Sequence, residues 1–527
     1  MRKIFLFITF VLTFSFFGCS EFLSETPNKS GSAYIYHMDQ LYGMMGNYTL
    51  YRSGYPWTDF IFLGDAVEYT PYYVVNTSAS GNDYSVYCWD RNNLETYTNF
   101  YACTWSPVWN SVYNFNTVLE NMDKVIQTTP AIRKEVEGEA LFGRAYHHFI
   151  ALVQYALWDE NAPGIGYRTN TLPDDIPTRE TVKYTLDMIY QDLDGAEAAL
   201  KEAGRTFFEP NRNFRPTVPT VKALRARIDL YRGNYSAALE NANSALAGYD
   251  VLLDFKNDEL YRVNVQDNIN VLDQNNATIV GTIPYRILTD VQARAAQAFS
   301  EYPEFYLPHC SDLYYANRNF YTISESYYNL FDHENDERWK RFYDNNALIY
   351  HRVSKTVTLP GNTSPTPRCF TWEDQQNYKE ANRHVYLRFA SNSGSSGKYY
   401  ILGMTTAEMY LIKAECLARA GNSAEAANVL KTLRRTRFTT TESADDIGGT
   451  VQEVLDERAR EMSEIWRFFD IKRLNGAENA NITIRRTILT TPSDINSAQV
   501  LEIGPDDPRW AVPITYQQLV LMGWEQN

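Results

Sequence analysis

The stretch Ala407-Glu408-Met409-Tyr410-Leu411-Ile412-Lys413-Ala414-Glu415-Cys416-Leu417-Ala418-Arg419-Ala420-Gly421-Asn422 decides how the rest of this chain is read. Ala407, Tyr410, Leu411, Ala414, Leu417 and Ala418 recur at the spacing that gathers apolar groups on one helical face, and Gly421 ends the run. Asn422 stands three residues before Glu425, a capping arrangement, and Ala426, Val429, Leu430 and Leu433 form a second stripe. That stripe runs into Lys431, Arg434, Arg435 and Arg437, whose charge suits a helix C-terminus. Thr450 with Glu453 is a capping box, and Val451, Val454, Leu455, Ala459, Met462, Ile465, Trp466 and Phe469 carry a third stripe toward Arg473. A stack of antiparallel helices is therefore predicted from about Met404 to Leu474.

The same punctuation occurs earlier. Val221–Arg232 and Tyr235–Leu246 read as two helices around Gly233-Asn234, with Ala238 four residues after that Asn, as Ala426 follows Asn422. A small-residue helix, a Gly-Asn turn and an Ala-rich return helix form the unit of tetratricopeptide-type repeats, in which Ala permits close approach. Helical periodicity also marks Met38–Met45, a segment from Trp109, another over Ile132–Trp158, and Thr178–Glu202. The fold class expected is all-α dominated: degenerate hairpins in a right-handed scaffold, at about 109–250 and 401–474, with long loop-rich insertions and minor β structure.

Two stretches break that order. Between Tyr69 and Trp105 there are ten aromatics, about twice the number expected from the chain's own average, with Gly81, Asn82 and Asp83 interrupting any period. Much of that stretch is expected to be loop or short strand. The segment from about 254 to 400 is polar, aromatic and broken by Pro284, Pro303, Pro308, Pro360, Pro365 and Pro367. Its aromatic content argues for an ordered, functional excursion.

The N-terminus reads Met1-Arg2-Lys3 and then an apolar or small-residue run from Ile4 to Phe17, ending at Gly18-Cys19-Ser20. A basic start and so short a run describe an export signal, since a membrane span needs about 20 residues. A small residue followed by Cys at that point resembles a lipobox, which implies cleavage before Cys19 and lipidation of it. Residues 1–18 are then the signal, 19–32 a lipid tether, and 33–527 a single domain.

The chain has 527 residues and a net charge of −15, which argues against nucleic acid and anionic lipid as partners. Tyr alone accounts for 39 residues, a flat apolar face with a polar tip. Beyond Cys19, Cys88, Cys103, Cys310, Cys369 and Cys416 are scattered without a Cys-x-x-Cys pair, so they form neither a disulfide framework nor a zinc site. Cys88 and Cys103 could pair, and Cys416 suits a helix core.

The run Leu455-Asp456-Glu457-Arg458-Ala459-Arg460-Glu461, leading to Arg467-Phe468-Phe469-Asp470-Ile471-Lys472-Arg473, resembles the signature of the SusD/RagB family of Bacteroidetes nutrient-binding lipoproteins. The closing Asp507-Pro508-Arg509-Trp510-Ala511-Val512-Pro513-Ile514 and Trp524-Glu525-Gln526-Asn527 are similar to that family too, although Ile465-Trp466 replaces the Glu-Gly pair common before the Arg. The resemblance implies a lipid-anchored protein of the outer membrane surface. Such a protein captures glycan and hands it to a SusC-like TonB-dependent transporter, without covalent chemistry.

A sugar presents a face of C–H groups rimmed by hydroxyls, so its site needs aromatic platforms edged by polar groups. Tyr72, Tyr73, Tyr84 and Trp89, flanked by Asp65, Asn82 and Arg91, make one candidate wall, and Tyr302, Tyr306 and Tyr314 a second. The family's use of loops from these two parts of the chain adds weight to both. Trp105 and Trp109, at helical spacing, are read as core. No local motif selects a glycosidase carboxylate pair. His147-His148 lacks metalloprotease spacing, and Gly394-Ser395-Ser396-Gly397-Lys398 is a turn rather than a phosphate loop. No cofactor is expected, apart from a structural calcium that Asp267, Asn268, Asn270 and Asp273 could hold. The competing readings are a surface-anchored glycosidase, and a peptide- or glycoprotein-binding or scaffold lipoprotein.

Overall fold

The computed structural model describes residues 35–69 apart from 48, 49 and 52–57; 82–256 apart from 97, 210, 211 and 213; 321–344; 398–527 apart from 402, 463 and 492–494; and short strands between these. Residues 1–34, and with them the export signal, Cys19 and the tether, lie outside the described residues.

The architecture is helical. α1 (Met38–Met45), the short α2 (Asn82–Tyr87) and α3 (Arg91–Leu94), and the long α4 (Thr98–Asn121) lead into α5 (Pro130–Tyr155) and α6 (Val182–Glu202). α5 is capped by Thr129, whose side chain accepts from Ile132 N, with Pro130 in the first turn where no amide donor is needed. It lies between α4 and α6 and is buried along most of its length. Two glycines permit this: a Cβ on Gly143 would stand 2.3 Å from the Phe115 ring of α4, and one on Gly138 would stand 2.6 Å from Leu200 Cγ of α6.

α7 (Val218–Tyr231) and α8 (Tyr235–Gly248) form the next hairpin, and α8 packs on α9 (Thr406–Arg419), which pairs with α10 (Ser423–Arg434). Both hairpins turn on a glycine in the left-handed region, Gly233 at φ +75° and Gly421 at φ +82°. The Asn after each Gly is the N-cap, but neither Asn234 nor Asn422 uses its side chain as a cap, contrary to the capping arrangement expected for Asn422. α11 (Val451–Glu461) has the predicted Thr450–Glu453 capping box. α12 (Glu464–Glu478) and α13 (Tyr516–Met522) complete the helices that matter below.

β structure is minor and comes as two-stranded antiparallel ladders. β1 (Val67–Tyr69), β2 (Ile269–Leu272), β3 (Thr278–Gly281), β4 (Phe305–Leu307), β5 (Cys310–Leu313), β6 (Tyr321–Ile323), β7 (Lys398–Ile401), β8 (Met404–Thr405), β9 (Ile484–Leu489) and β10 (Ala498–Ile503) are the strands used here. β1 pairs with β6, β4 with β8, β5 with β7, and β9 with β10.

The family-like signature is a buried ionic weave. Glu457 and Glu461, one turn apart on α11, face Arg338, Arg434 and Arg437, with contacts of 2.7 to 2.9 Å. Arg458 reaches Asp470 of α12 at 2.9 Å, and Arg473 bridges Asp470 and Glu415 of α9 at 3.0 and 2.8 Å. Arg227 of α7 meets Glu408 of α9 with both partners fully buried, over the Trp466 ring. Charges this deep are tolerated because each guanidinium has a carboxylate within reach.

Candidate functional site

Strands at the ends of the two tyrosine-rich stretches pair on this frame. β1 leads directly into the stretch that holds Tyr72 and Tyr73, and β6 follows directly on the stretch that ends after Tyr314. Their pairing sets Tyr69 opposite Tyr321, Glu68 opposite Thr322 and Val67 opposite Ile323. Ser324 secures the junction, its amide donating to Ala66 O at 2.9 Å and its hydroxyl to Asp65 O at 2.6 Å. Asp65 in turn takes a two-pronged ion pair from Arg467 of α12, at 2.8 and 3.0 Å. Tyr306 stands on β4, whose partner β8 runs straight into α9, so that part of the second stretch is tied to the helical stack. Tyr72, Tyr73, Tyr302 and Tyr314 lie outside the described residues, as does the side chain of Tyr306.

The remaining candidates of the first wall are not platforms. Tyr84 is buried in α2, which is helix where loop was expected; its hydroxyl accepts from Leu489 N at 2.6 Å and donates to Leu489 O at 3.1 Å. Trp89 is 3% exposed and donates Nε1 to Leu63 O at 3.2 Å. Arg486 of β9 lies over the Trp89 ring at 3.6 Å and over Tyr87 at 4.5 Å, while its guanidinium donates to the carbonyls of Phe62, Tyr87, Leu63 and Gly64. Burial, with no carboxylate bonded to it among the described residues, pushes that guanidinium down to about 10. Arg91 donates to Glu95 at 3.2 Å and to Asn527 O at 2.6 Å. Asn82 opens α2, and its side chain is not described. Thus Tyr84 and Trp89 are corrected from ligand platforms to a buried joint that clamps the N-terminal segment on β9, whereas Asp65 and Arg91 keep about a quarter of their side chains exposed while ion-paired to Arg467 and Glu95. Tyr84 meets Leu489 and Trp89 meets Arg486, each about 400 residues away, which a local pattern cannot reveal.

Other sequence readings resolve simply. His147 and His148 are buried and face Gly143 O and Arg144 O through Nδ1, and His148 Nε2 accepts from Arg168 N at 3.0 Å. Cys416 is buried in α9, and Cys88 is a free thiol, pushed up to about 11 by burial. Asn270 of the calcium reading sits in β2, paired with β3; Asp267, Asn268 and Asp273 lie outside the described residues. No cluster of three or more His, Cys, Asp or Glu suited to a metal ion occurs among the described residues. None of the described helices is long and apolar enough to cross a membrane. Trp105 is core as expected, whereas Trp109 is half-buried and borders an open cleft of about 190 Å³. The sequence sign of that cleft was the pairing of Trp105 and Trp109 with polar Ser106 and Asn110 one position on.

A family model described as starch-binding and associating with the outer membrane matches residues 62–230, and the SusD family model matches residues 270–520, together about four-fifths of the chain. No curated protein matches. Among solved structures, a SusD superfamily protein from Bacteroides thetaiotaomicron aligns with TM-score 0.64 at 16% identity, covering 93% of this chain and 99% of that one. A SusD-like carbohydrate binding protein from Bacteroides vulgatus gives TM-score 0.58 at 14% identity, with 93% and 97% covered. A laminarin binding SusD-like protein gives 0.55 at 13%, with 94% and 99% covered. The two family models, the helical frame and the buried ionic signature agree: the chain belongs to the SusD/RagB family.

Proposed function

We propose that this protein is a lipid-anchored glycan-binding protein of the cell surface, capturing a neutral oligo- or polysaccharide for a SusC-like TonB-dependent transporter. The observation that carries the reading is the β1–β6 pairing, which brings the ends of two separate tyrosine-rich stretches to one edge of a rigid frame. Carbohydrate and laminarin binding by relatives of the same fold supports it, as does the net charge of −15, which disfavours anionic ligands. Tyr72, Tyr73, Tyr302, Tyr306 and Tyr314 are the aromatic groups assigned to the ligand, and Cys19 is the acylated residue. Binding needs no covalent step, so no catalytic residue is assigned.

The test is affinity electrophoresis in gels containing laminarin, starch or other neutral polysaccharides. Retardation in at least one gel is expected, and the triple change Tyr72→Ala, Tyr73→Ala and Tyr306→Ala should abolish it without altering the melting temperature. Retardation that survives all three changes would overturn the site, and migration unaffected by every polysaccharide would overturn the function. In cells, Cys19→Ala should release the protein from the outer-membrane fraction, and the wild type should co-purify with a TonB-dependent transporter.

A further inference from the structure

The stretch that carries Tyr72 and Tyr73 has two roots on the frame, and one side chain bonds both. The near root is residues 62–64, just ahead of Asp65 and β1; the far root is α2, which ends at Tyr87. Arg486 of β9 is buried and reaches each of them. Its Nη1 donates to Phe62 O on the near root and to Tyr87 O on the far one, the latter at 2.8 Å. Its Nη2 donates to Leu63 O at 3.1 Å and to Gly64 O. A single planar group thereby ties three consecutive carbonyls to a fourth on the other side of the stretch.

The rest of β9 serves the same roots. The Tyr84 hydroxyl exchanges bonds with Leu489 N and O, and the Tyr87 hydroxyl donates to Thr487 O at 3.3 Å. The Trp89 and Tyr87 rings pack on the guanidinium at 3.6 and 4.5 Å. Asp65, at the exit of the near root, is bonded to Arg467, so Arg486 is left to the carbonyls.

Such a pattern calls for arginine. A guanidinium sets five N–H groups in one plane as a fixed fork, whereas an ammonium offers three donors from one point. Lys at this position could match three of the four carbonyls at most, and an apolar residue none. What the fork fixes is a distance, because two roots bonded to one rigid group cannot drift apart. A chain segment whose ends are set in advance leaves less ordering for its ligand to impose. We propose that Arg486 is a positioning residue for glycan binding: buried and out of reach of any ligand, it sets the separation of the two roots and so preorganises the wall to which Tyr72 and Tyr73 belong.

This role rests on the glycan-binding reading and adds to it a residue that acts through the aromatic wall rather than on the sugar. The experiment takes the acyl-free, full-length chain and measures dissociation constants by calorimetry for oligosaccharides of laminarin or starch, whichever polysaccharide retards the wild type in gels. Arg486→Lys, which keeps the charge and loses the fork, should bind about tenfold more weakly per folded molecule, equivalent to about 1.4 kcal/mol. In a Tyr73→Ala background that loss should shrink to less than half, since the wall it serves is already impaired; in a Tyr306→Ala background it should persist in full. Trp89→Ala leaves the four carbonyl bonds in place and is the control for lowered stability, with affinity expected to hold. If Arg486→Lys does not fold, Tyr84→Phe decides by the same cycle: it frees the far root from Leu489 and should weaken binding about threefold. Wild-type affinity in the variant, an equal loss in both backgrounds, or a matching loss in Trp89→Ala overturns the positioning role and leaves the functional reading standing. If the wild type binds none of the polysaccharides, both fall.

Discussion

Trp89 shows how a side chain's role depends on what surrounds it. Its backbone is in the left-handed region at φ +48°, unusual for a bulky residue, and the strain is held by the Nε1 bond to Leu63 O and the Arg486 guanidinium on the ring. Trp89→Ala is expected to cost about 3–5 kcal/mol in a urea melt, as for other buried Trp truncations, while glycan retention per folded molecule stays unchanged. Loss of retention at unchanged stability would restore it as a platform. Lys472 is a second case, 3% exposed with Nζ donating to Val153 O at 2.7 Å. Burial pushes its ammonium down from 10.5 to about 7. Between those two values the unfolded chain holds more of the proton, so stability should climb as pH rises from about 7 toward 10. Lys472→Met should flatten this climb and melt higher at pH 7; an unchanged slope would contradict the assignment. His148 works on the acid side: burial holds it near 3 in the folded state against 6.5 unfolded, so stability should fall as pH drops below about 6.5.

At the scale of elements, helix spacing was readable because it repeats locally. The expected segments at Met38–Met45 and Ile132–Trp158, and the hairpins at Gly233 and Gly421, appear with ends shifted by a few residues. Within the aromatic stretch before Trp105, α2 and α3 are helix where loop or short strand was expected, because they are too short to display a period, and α4 begins at Thr98 rather than near Trp109. Close approach of α5 to α4 yields a prediction: Gly143→Ala drives a methyl into the Phe115 ring and should destabilise by about 1–3 kcal/mol in thermal melts. The ionic weave yields another. Glu457→Ala strips a carboxylate from Arg338, Arg434 and Arg460 together and should cost about 3–5 kcal/mol. A double-mutant cycle with Arg434→Ala should show coupling, and additive losses would mean the pair is not energetically linked.

For the whole molecule, the question is how a rigid frame carries its irregular stretches. Arg467 spans from α12 to Asp65 beside β1, and both side chains are about a quarter exposed. Such a partly solvated pair contributes on the order of 1 kcal/mol or less to stability. Its importance is positional, because it fixes where the tyrosine stretch leaves the frame. Arg467→Ala should therefore leave the melt nearly unchanged and weaken glycan retention in affinity gels. Equal retention by both proteins would show that the edge needs no such anchor.

The amino-acid sequence by itself determined the helical class, the hairpin turns, the capping box of α11 and the family, because periodicity, left-handed glycines and signature charges are properties of residues a few positions apart. Only the tertiary structure decided which aromatics are spent. Tyr84 bonds to a residue 405 positions away, and the Trp109 cleft closes only when α13 docks beside α4. Burial and hydrogen-bond satisfaction are set by partners distant in the chain, and no local spacing encodes them.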